Sequence, residues 1–287
     1  MIAREPAQLE RRSRAVAIGT FDGVHLGHRA VIRAAVEAGP APTVVTFHPH
    51  PRTVLGNRVE LLATLERRLE LLMDCGVEDV LVVEFTPETA ALTPTEFAEQ
   101  HLLAIGAELV VAGADFKFGR KRAGDLAALR ALGLETREVP LVEGISSSRI
   151  RAFAHAGEPN EAAKLLGRPL ELDGTVVWGD QRGGTLGFPT ANLQLEADLL
   201  VPGFGIYAGA VGDLRAAISV GVNPHYGGTE RRVEAYLLDW EGDLYGDRLV
   251  VEVWERLRDE RAFENEAALI AQIAADVEQT RAATRPT

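Results

Sequence analysis

His25 and His28 stand three residues apart in GTFDGVHLGH, residues 19–28, between the apolar run AVAI and a stretch of helical periodicity. A helix N-terminus presents unpaired backbone N–H groups and a partial positive charge, so it attracts phosphate. Imidazoles three apart on that first turn share a face, donate hydrogen bonds to phosphate oxygens and answer charge developing on a leaving group. Gly19, Gly23 and Gly27 would let the backbone come close to a ligand, with Phe21 between them. Neither GxGxxG nor GxxxxGK[ST] occurs, so the ordinary dinucleotide and P-loop readings lose support. Two rivals stand beside this one. The histidine pair could be structural, or it could join His48 and His50 of TFHPHP around zinc, although no HExxH spacing accompanies either pair.

A second chemical set lies in GTVVWGDQRGGTLGFPTANLQL, residues 174–195. Gly179, Gly183, Gly184 and Gly187 describe a loop able to fold over phosphates. Thr190 and Asn192 are two apart and project to one side of an extended chain. Their hydroxyl and amide oxygens suit magnesium, a hard ion that prefers oxygen. Further on, alternation in RVEAYLLDW sets Val233, Ala235 and Leu237 on one face and Glu234, Tyr236 and Leu238 on the other. A carboxylate such as Glu234 beside a primary hydroxyl would accept its proton. The plainer readings are a turn entering a strand for PTAN and a solvated face for Glu234. ISSSRIR, residues 145–151, reads as another strand-to-helix start, with serines suited to capping and Arg151 suited to phosphate.

These residues need elements to hold them. Up to about residue 164, apolar runs AVAI, TVVTF, DVLVVEF and ELVVAG alternate with helical stretches such as VIRAAVEA and LLATLERRLELLMDCG. That order predicts a parallel α/β sheet covered on both faces. The 19–28 loop then lies at a carboxyl strand end, where open sheets bind ligands. After Arg168 the pattern becomes glycine-punctuated strands of period two: LDGTVVWGD, TANLQLE, GIYAGAVG, RAAISVGV, RVEAYLLDW and DRLVVEVWERL. They predict an antiparallel barrel or sandwich. A terminal helix carries Leu269, Ile270, Ile273 and Val277 as its apolar stripe. The boundary falls near AGEPNEAAKLLGRPLE, giving domains of residues 1–160 and 161–287.

The whole chain of 287 residues is 46% hydrophobic and 25% charged, which suits two globular domains. A net charge of -12 argues against a nucleic-acid surface but leaves room for small anions. The single cysteine, Cys75, excludes an internal disulfide and a cysteine-built zinc site. No apolar run approaches about 18 residues, and the first residues lack a signal-like core, so a cytoplasmic protein without membrane partners is expected.

Taken together, the blocks GTFDGVHLGH, TFHPHP, GADFKFG, AGD and ISSSRIR resemble the adenylyltransferase part of the bacterial bifunctional riboflavin kinase/FAD synthetase family, within the HxGH nucleotidyltransferase superfamily. GFPTAN, GIYAG, SVGVNP and VEAYLLDWEGDLYG resemble its riboflavin kinase module, so the likeness covers nearly the whole chain. The resemblance implies a Rossmann-like nucleotidyltransferase domain followed by a riboflavin kinase β-barrel with a C-terminal helix. It implies that ATP phosphorylates riboflavin to FMN, and that a second ATP adenylylates FMN to FAD with release of pyrophosphate. Magnesium accompanies the ATP; no resident organic cofactor is implied, because the flavins are substrates and products.

By the same resemblance, His25, His28, Ser147, Ser148 and Arg151 hold ATP phosphates, with Gly19, Phe21 and Gly27 around them. His50, Pro51, Asp115 and Phe118 belong to the flavin side. In the kinase module Gly183, Thr190 and Asn192 serve nucleotide phosphate, Thr190 and Asn192 serve the metal, and Glu234 is the base. This sequence departs from the family pattern at Ser148 (threonine is usual), at Gly184 (arginine is usual, with Arg182 two residues earlier) and at His225 and Tyr226 (threonine and phenylalanine are usual). Two alternatives follow: an adenylyltransferase with an impaired kinase barrel, or a flavin-binding module without turnover.

Overall fold

The computed structural model describes residues 1–179, 187–222 and 231–287. Arg182, Gly183, Gly184, His225 and Tyr226 lie outside the described residues. The chain forms two compact units: residues 1–59 with 65–145, and residues 60–64 with 146–287.

The first unit is built on strands β1 (Ile2–Ala3), β2 (Arg14–Ile18), β3 (Thr43–His48), β4 (Asp79–Glu84), β5 (Ala107–Gly113) and β6 (Glu135–Val139). They form one sheet in the order β1-β4-β3-β2-β5-β6, every pair parallel. Alternate side chains feed two cores. Val16, Ile18, Leu81 and Val83 pack to one face, and Ala17, Val80 and Val82 to the other. That explains why these strands read as continuous apolar runs. The four strands expected from such runs are all present. β1 and β6 carry no such signal, since β1 is two residues long and β6 is a charged edge strand, ETREV. Helices α1 (Leu26–Val36) and α3 (Leu65–Met73) cover one face; α2 (Pro51–Val54), α4 (Pro87–Ala91), α5 (Pro94–Phe97) and α6 (Leu126–Ala131) complete the unit.

The strand order has a chemical consequence. The chain leaves β2 for β3 on one side, then returns to place β5 on the other, so the switch point lies at the carboxyl ends of β2 and β5. The loops after β2, β3 and β5 therefore emerge side by side.

The second unit begins with α7 (Ser147–His155) and α8 (Pro159–Leu166), which pack through Ile150, Ala154, Ala162 and Leu166 onto Leu62, Leu170 and Leu200. Pro159 starts α8, and Gly167, at φ 69°, ends it. Six strands follow: β7 (Leu170–Val177), β8 (Ala191–Leu195), β9 (Gly205–Val211), β10 (Leu214–Val222), β11 (Arg231–Leu237) and β12 (Arg248–Arg258). They close into an antiparallel barrel in the order β10-β11-β8-β7-β12-β9. Inward residues such as Leu172, Val176, Ile218, Val233 and Val251 fill it. A closed barrel, rather than a sandwich, is the outcome, and closure leaves no open edge.

Two details correct the pattern reading. β11 ends at Leu237, so Leu238 leaves the outer face and is buried. In the terminal helix α9 (Glu266–Ala282) the buried residues are Asp276, Val277 and Thr280, while Leu269 and Ile273 line a cavity.

Candidate active sites

In the first unit, His25 is the N-cap of α1, and its Nδ1 accepts the backbone N–H of His28 at 3.3 Å. An accepting Nδ1 leaves Nε2 as the N–H of the neutral ring. The two imidazoles stack, centroids 3.5 Å apart and planes 17° from parallel. Phe21 meets His28 edge-on at 5.4 Å. Burial, His25 and the Arg68 guanidinium hold His28 well below the ordinary imidazole value of 6.5. His28 is therefore neutral at pH 7, and its Nδ1 is enclosed without a hydrogen-bond partner.

The loop that sets this pair is under tension and tied down. Phe21 and Val24 have positive φ values of 49° and 39°, which ordinary side chains seldom adopt. Arg68 of α3, itself buried, donates to the carbonyls of Thr20 and Phe47, both at 3.0 Å. It thereby stitches the β2 loop to the end of β3. The glycines serve the chain itself: a Cβ on Gly19 would stand 3.0 Å from the Phe21 ring, and one on Gly27 3.3 Å from the His25 ring. Their space is taken by these rings rather than left for a ligand.

The neighbouring loops bring further residues to the same sheet edge. His50 is buried, caps α2 and accepts the Arg52 N–H at 3.1 Å, with Pro51 opening the helix. Asp115 is exposed after β5. Phe118, 7% exposed, belongs to the core, 5.6 Å from the Phe97 ring and stacked on Phe116 at 5.4 Å. For Phe118 the packing role is the observed one. Ser147, Ser148 and Arg151 belong to the second unit. There Ser146, not Ser147 or Ser148, caps α7 by accepting the Arg149 N–H at 3.3 Å. Arg151 Nε donates to the Glu60 carbonyl at 2.6 Å, and His155 Nε2 lies 2.7 Å from Glu60 Oε2.

In the barrel, register assembles what the sequence separates. Glu234 of β11 sits directly opposite Asn192 of β8 and, on its other side, Ser219 of β10. Thr190 Oγ1 is 3.4 Å from Glu234 Oε2, and Arg232 Nη1 is 3.2 Å from Glu234 Oε1. Asn192 is buried, and its Oδ1 has no hydrogen-bond partner. Gly179 closes over it, since any Cβ there would come within 2.2 Å of the Asn192 amide. Beside Glu234 opens a cavity of about 330 Å³, bounded by Thr190, Ser219, Tyr236, Phe263, Leu269 and Ile273. Among the described residues no group of three or more His, Cys, Asp or Glu side chains could hold a metal, which gives the zinc reading no support.

Sequence reasoning missed two contributors, Arg68 as the anchor of the β2 loop and Arg232 beside Glu234; it expected the serines of ISSSRIR to cap α7 without singling out Ser146. Arg68 lies in a charged helical stretch, RRLE, and nothing local marks its burial.

A histidine pair thus stands at the switch point of a parallel sheet, and a carboxylate faces an orphaned amide oxygen on a closed barrel. The comparisons agree with each half. The FAD synthetase family model matches residues 7–151 and the riboflavin kinase model matches residues 166–284. Bifunctional riboflavin kinase/FMN adenylyltransferases from Listeria monocytogenes and Bacillus subtilis are 37% and 35% identical to the chain; each alignment covers 94% of this chain and 92% of the relative. The corresponding Escherichia coli K12 protein is 36% identical over 90% of this chain and 89% of its own length. A crystal structure described as a macrolide-efflux protein from Streptococcus pneumoniae superposes with a TM-score of 0.87 at 33% identity, covering 99% of both chains. Among the described residues no helix is long and apolar enough to cross a membrane. The chain belongs to the bifunctional riboflavin kinase/FMN adenylyltransferase family, and both of its catalytic domains are present.

Proposed function

We propose that this chain makes FMN from riboflavin at the barrel and FAD from FMN at the β2–α1 loop, consuming one ATP at each step. What supports this reading is that each unit carries its own cluster of groups suited to phosphate: His25 and His28 at the start of α1, and Thr190, Asn192 and Glu234 on the barrel. Mere flavin binding needs neither.

At the barrel, the cavity beside Glu234 receives riboflavin, with its primary hydroxyl at the carboxylate. Glu234 takes the hydroxyl proton as that oxygen bonds to the γ-phosphorus, and the bond to the β,γ-bridging oxygen breaks to release ADP. Arg232 steadies the ionised carboxylate from the other side. Asn192 Oδ1, enclosed and unpartnered, and the Thr190 hydroxyl fit magnesium, and they would hold it. When bound, that ion neutralises charge on the transferring phosphates.

At the β2–α1 loop, an FMN phosphate oxygen attacks the α-phosphorus of ATP and pyrophosphate leaves. The protein's share is positioning and charge stabilisation. The N-terminus of α1 and the His25 Nε2–H point donors at the phosphates, and neutral His28 stands ready to balance charge as it grows. Ser147, Ser148 and Arg151 are assigned phosphate contacts on the strength of the ISSSRIR block. His50, Pro51 and Asp115 are assigned to the flavin side, with Phe118 supporting them from the core.

The net charge of -12 supports small-molecule substrates rather than nucleic acid. A lone cysteine and two ATP-consuming steps support a cytoplasmic enzyme. Incubation with riboflavin and MgATP, followed by chromatography, tests the whole reading. FMN and FAD are both expected; FAD from added FMN alone indicates an impaired kinase, and no product refutes turnover.

A further inference from the structure

Six residues of the connection after β5, KFGRKR at 117–122, carry four cations in a chain whose net charge is -12. Lys117 has a partner, its Nζ lying 2.9 Å from Asp125 Oδ2. Arg120, Lys121 and Arg122 are all exposed, and none closes an ion pair among the described residues. Glu96 feels the charge of Arg120, yet its carboxylate accepts from the Thr93 N–H and hydroxyl, both at 2.7 Å. Three neighbouring cations repel one another, so leaving them without acidic partners in an acidic protein costs stability.

The backbone adds to that cost. Lys121 and Arg122 follow one another at φ 55° and 59°, left-handed values that long side chains seldom adopt. The turn is nonetheless fixed. The Arg120 N–H donates to the Leu92 carbonyl at 2.7 Å, and the Arg122 N–H to the Gly119 carbonyl at 2.9 Å. Phe118 and Gly124 exchange a pair of bonds at 3.0 and 2.9 Å. There is no slack beneath, because a Cβ on Gly124 would stand 2.8 Å from both the Phe118 ring and Pro94. Backbone strain persists only where its surroundings impose it, and it gathers at ligand sites. A rigid base thus holds three long cations in open water.

The place of this turn in the fold says which anion it serves. β5 lies beside β2 in the sheet, and the connections after both strands leave the same carboxyl edge, where the histidine pair stands. Both substrates of adenylylation carry phosphate, whereas riboflavin carries none. A local positive field at that edge offsets the repulsion that a net charge of -12 exerts on such anions.

We propose that the Arg120–Arg122 turn is a capture site for the phosphates of ATP and FMN at the adenylylation centre. The proposal rests on the adenylylation reading of the β2–α1 loop. The turn acts by its charge on substrate binding and takes no part in bond making.

The experiment compares the unsubstituted full chain with a triple variant, Arg120→Gln with Lys121→Gln and Arg122→Gln, and with Lys121→Arg. In FAD formation from supplied FMN, the triple variant should raise the KM for FMN and for ATP about tenfold each, with kcat within about twofold. Lys121→Arg keeps the charge and should leave both unchanged. FMN formation from riboflavin should be unaltered in every variant. The kcat/KM of the unsubstituted chain should fall as KCl rises from about 0.02 to about 0.3 M, and this slope should flatten in the triple variant. Unaltered KM values and an unaltered salt slope in the folded triple variant would make the turn a structural feature only and overturn the capture site. Should that variant fail to fold, Lys121→Glu, read in the same way, decides. If the unsubstituted chain formed no FAD, the adenylylation reading would fail on its own. Calorimetry with pyrophosphate would then decide the capture site, weaker binding in the triple variant upholding it and equal binding sinking it.

Discussion

The two centres solve related problems with opposite construction. At the β2–α1 loop, the histidine pair comes from one contiguous stretch, and the helix start itself stacks His25 on His28. The His28 ring is neutral, and strained backbone at Phe21 and Val24 is held by a buried arginine. At the barrel, the working groups come from separate strands, and only the register of β8 against β11 makes Asn192 a neighbour of Glu234. There the carboxylate is 28% exposed and paired with Arg232. One depends on local geometry, the other on long-range pairing. Local geometry can be damaged by any change near the loop, while a register-built site answers most sharply to loss of its central group.

The largest expected effect is at the barrel. Glu234→Ala should lower FMN formation by about 10³-fold while leaving FAD formation from supplied FMN intact. The converse is expected at the loop: His28→Ala should cost about 10²-fold in FAD formation and little in FMN formation. Separate assays of each product check both. If either substitution silenced both activities in a folded protein, the separation of the two centres would be wrong.

Arg68→Met should be felt at one centre only. It leaves the Thr20 and Phe47 carbonyls without their donor, costs about 2 kcal/mol of stability and weakens adenylylation more than phosphorylation. Thermal unfolding with the two assays would reveal it, and equal losses at both centres would contradict the local anchor.

The smallest effect is a pH dependence. Because His28 is depressed in the folded protein, the unfolded chain binds that proton more readily. The stability contribution is complete above the ordinary value of 6.5 and declines as pH falls from there toward the folded value. Urea midpoints measured downward from pH 7 should fall less steeply in His28→Gln than in the unsubstituted chain. Identical slopes would remove His28 as the titrating group.

Much of this was readable beforehand because burial on both sheet faces leaves unbroken apolar runs. Hence β2, β3, β4 and β5 announce themselves, while charged β6 at the edge does not. The same holds for sites. GTFDGVHLGH announces its histidine pair at a helix start because a helix cap is a short-range device, completed within a few residues. Thr190 and Asn192 suggest a pair by spacing alone, yet nothing local connects them with Glu234, more than forty positions away.

Residue order by itself determined the succession of strands and helices, the switch from period-3.6 to period-2 patterning, and the histidine pair at the mouth of α1. Each of these is decided over a few adjacent residues by backbone hydrogen bonding and side-chain alternation. Tertiary structure alone decided that Arg68 would be buried beneath the loop, and that Asn192, Glu234 and Ser219 would share one row. Those outcomes depend on strand register, barrel closure and desolvation, which bring distant residues together and which no local window of sequence contains.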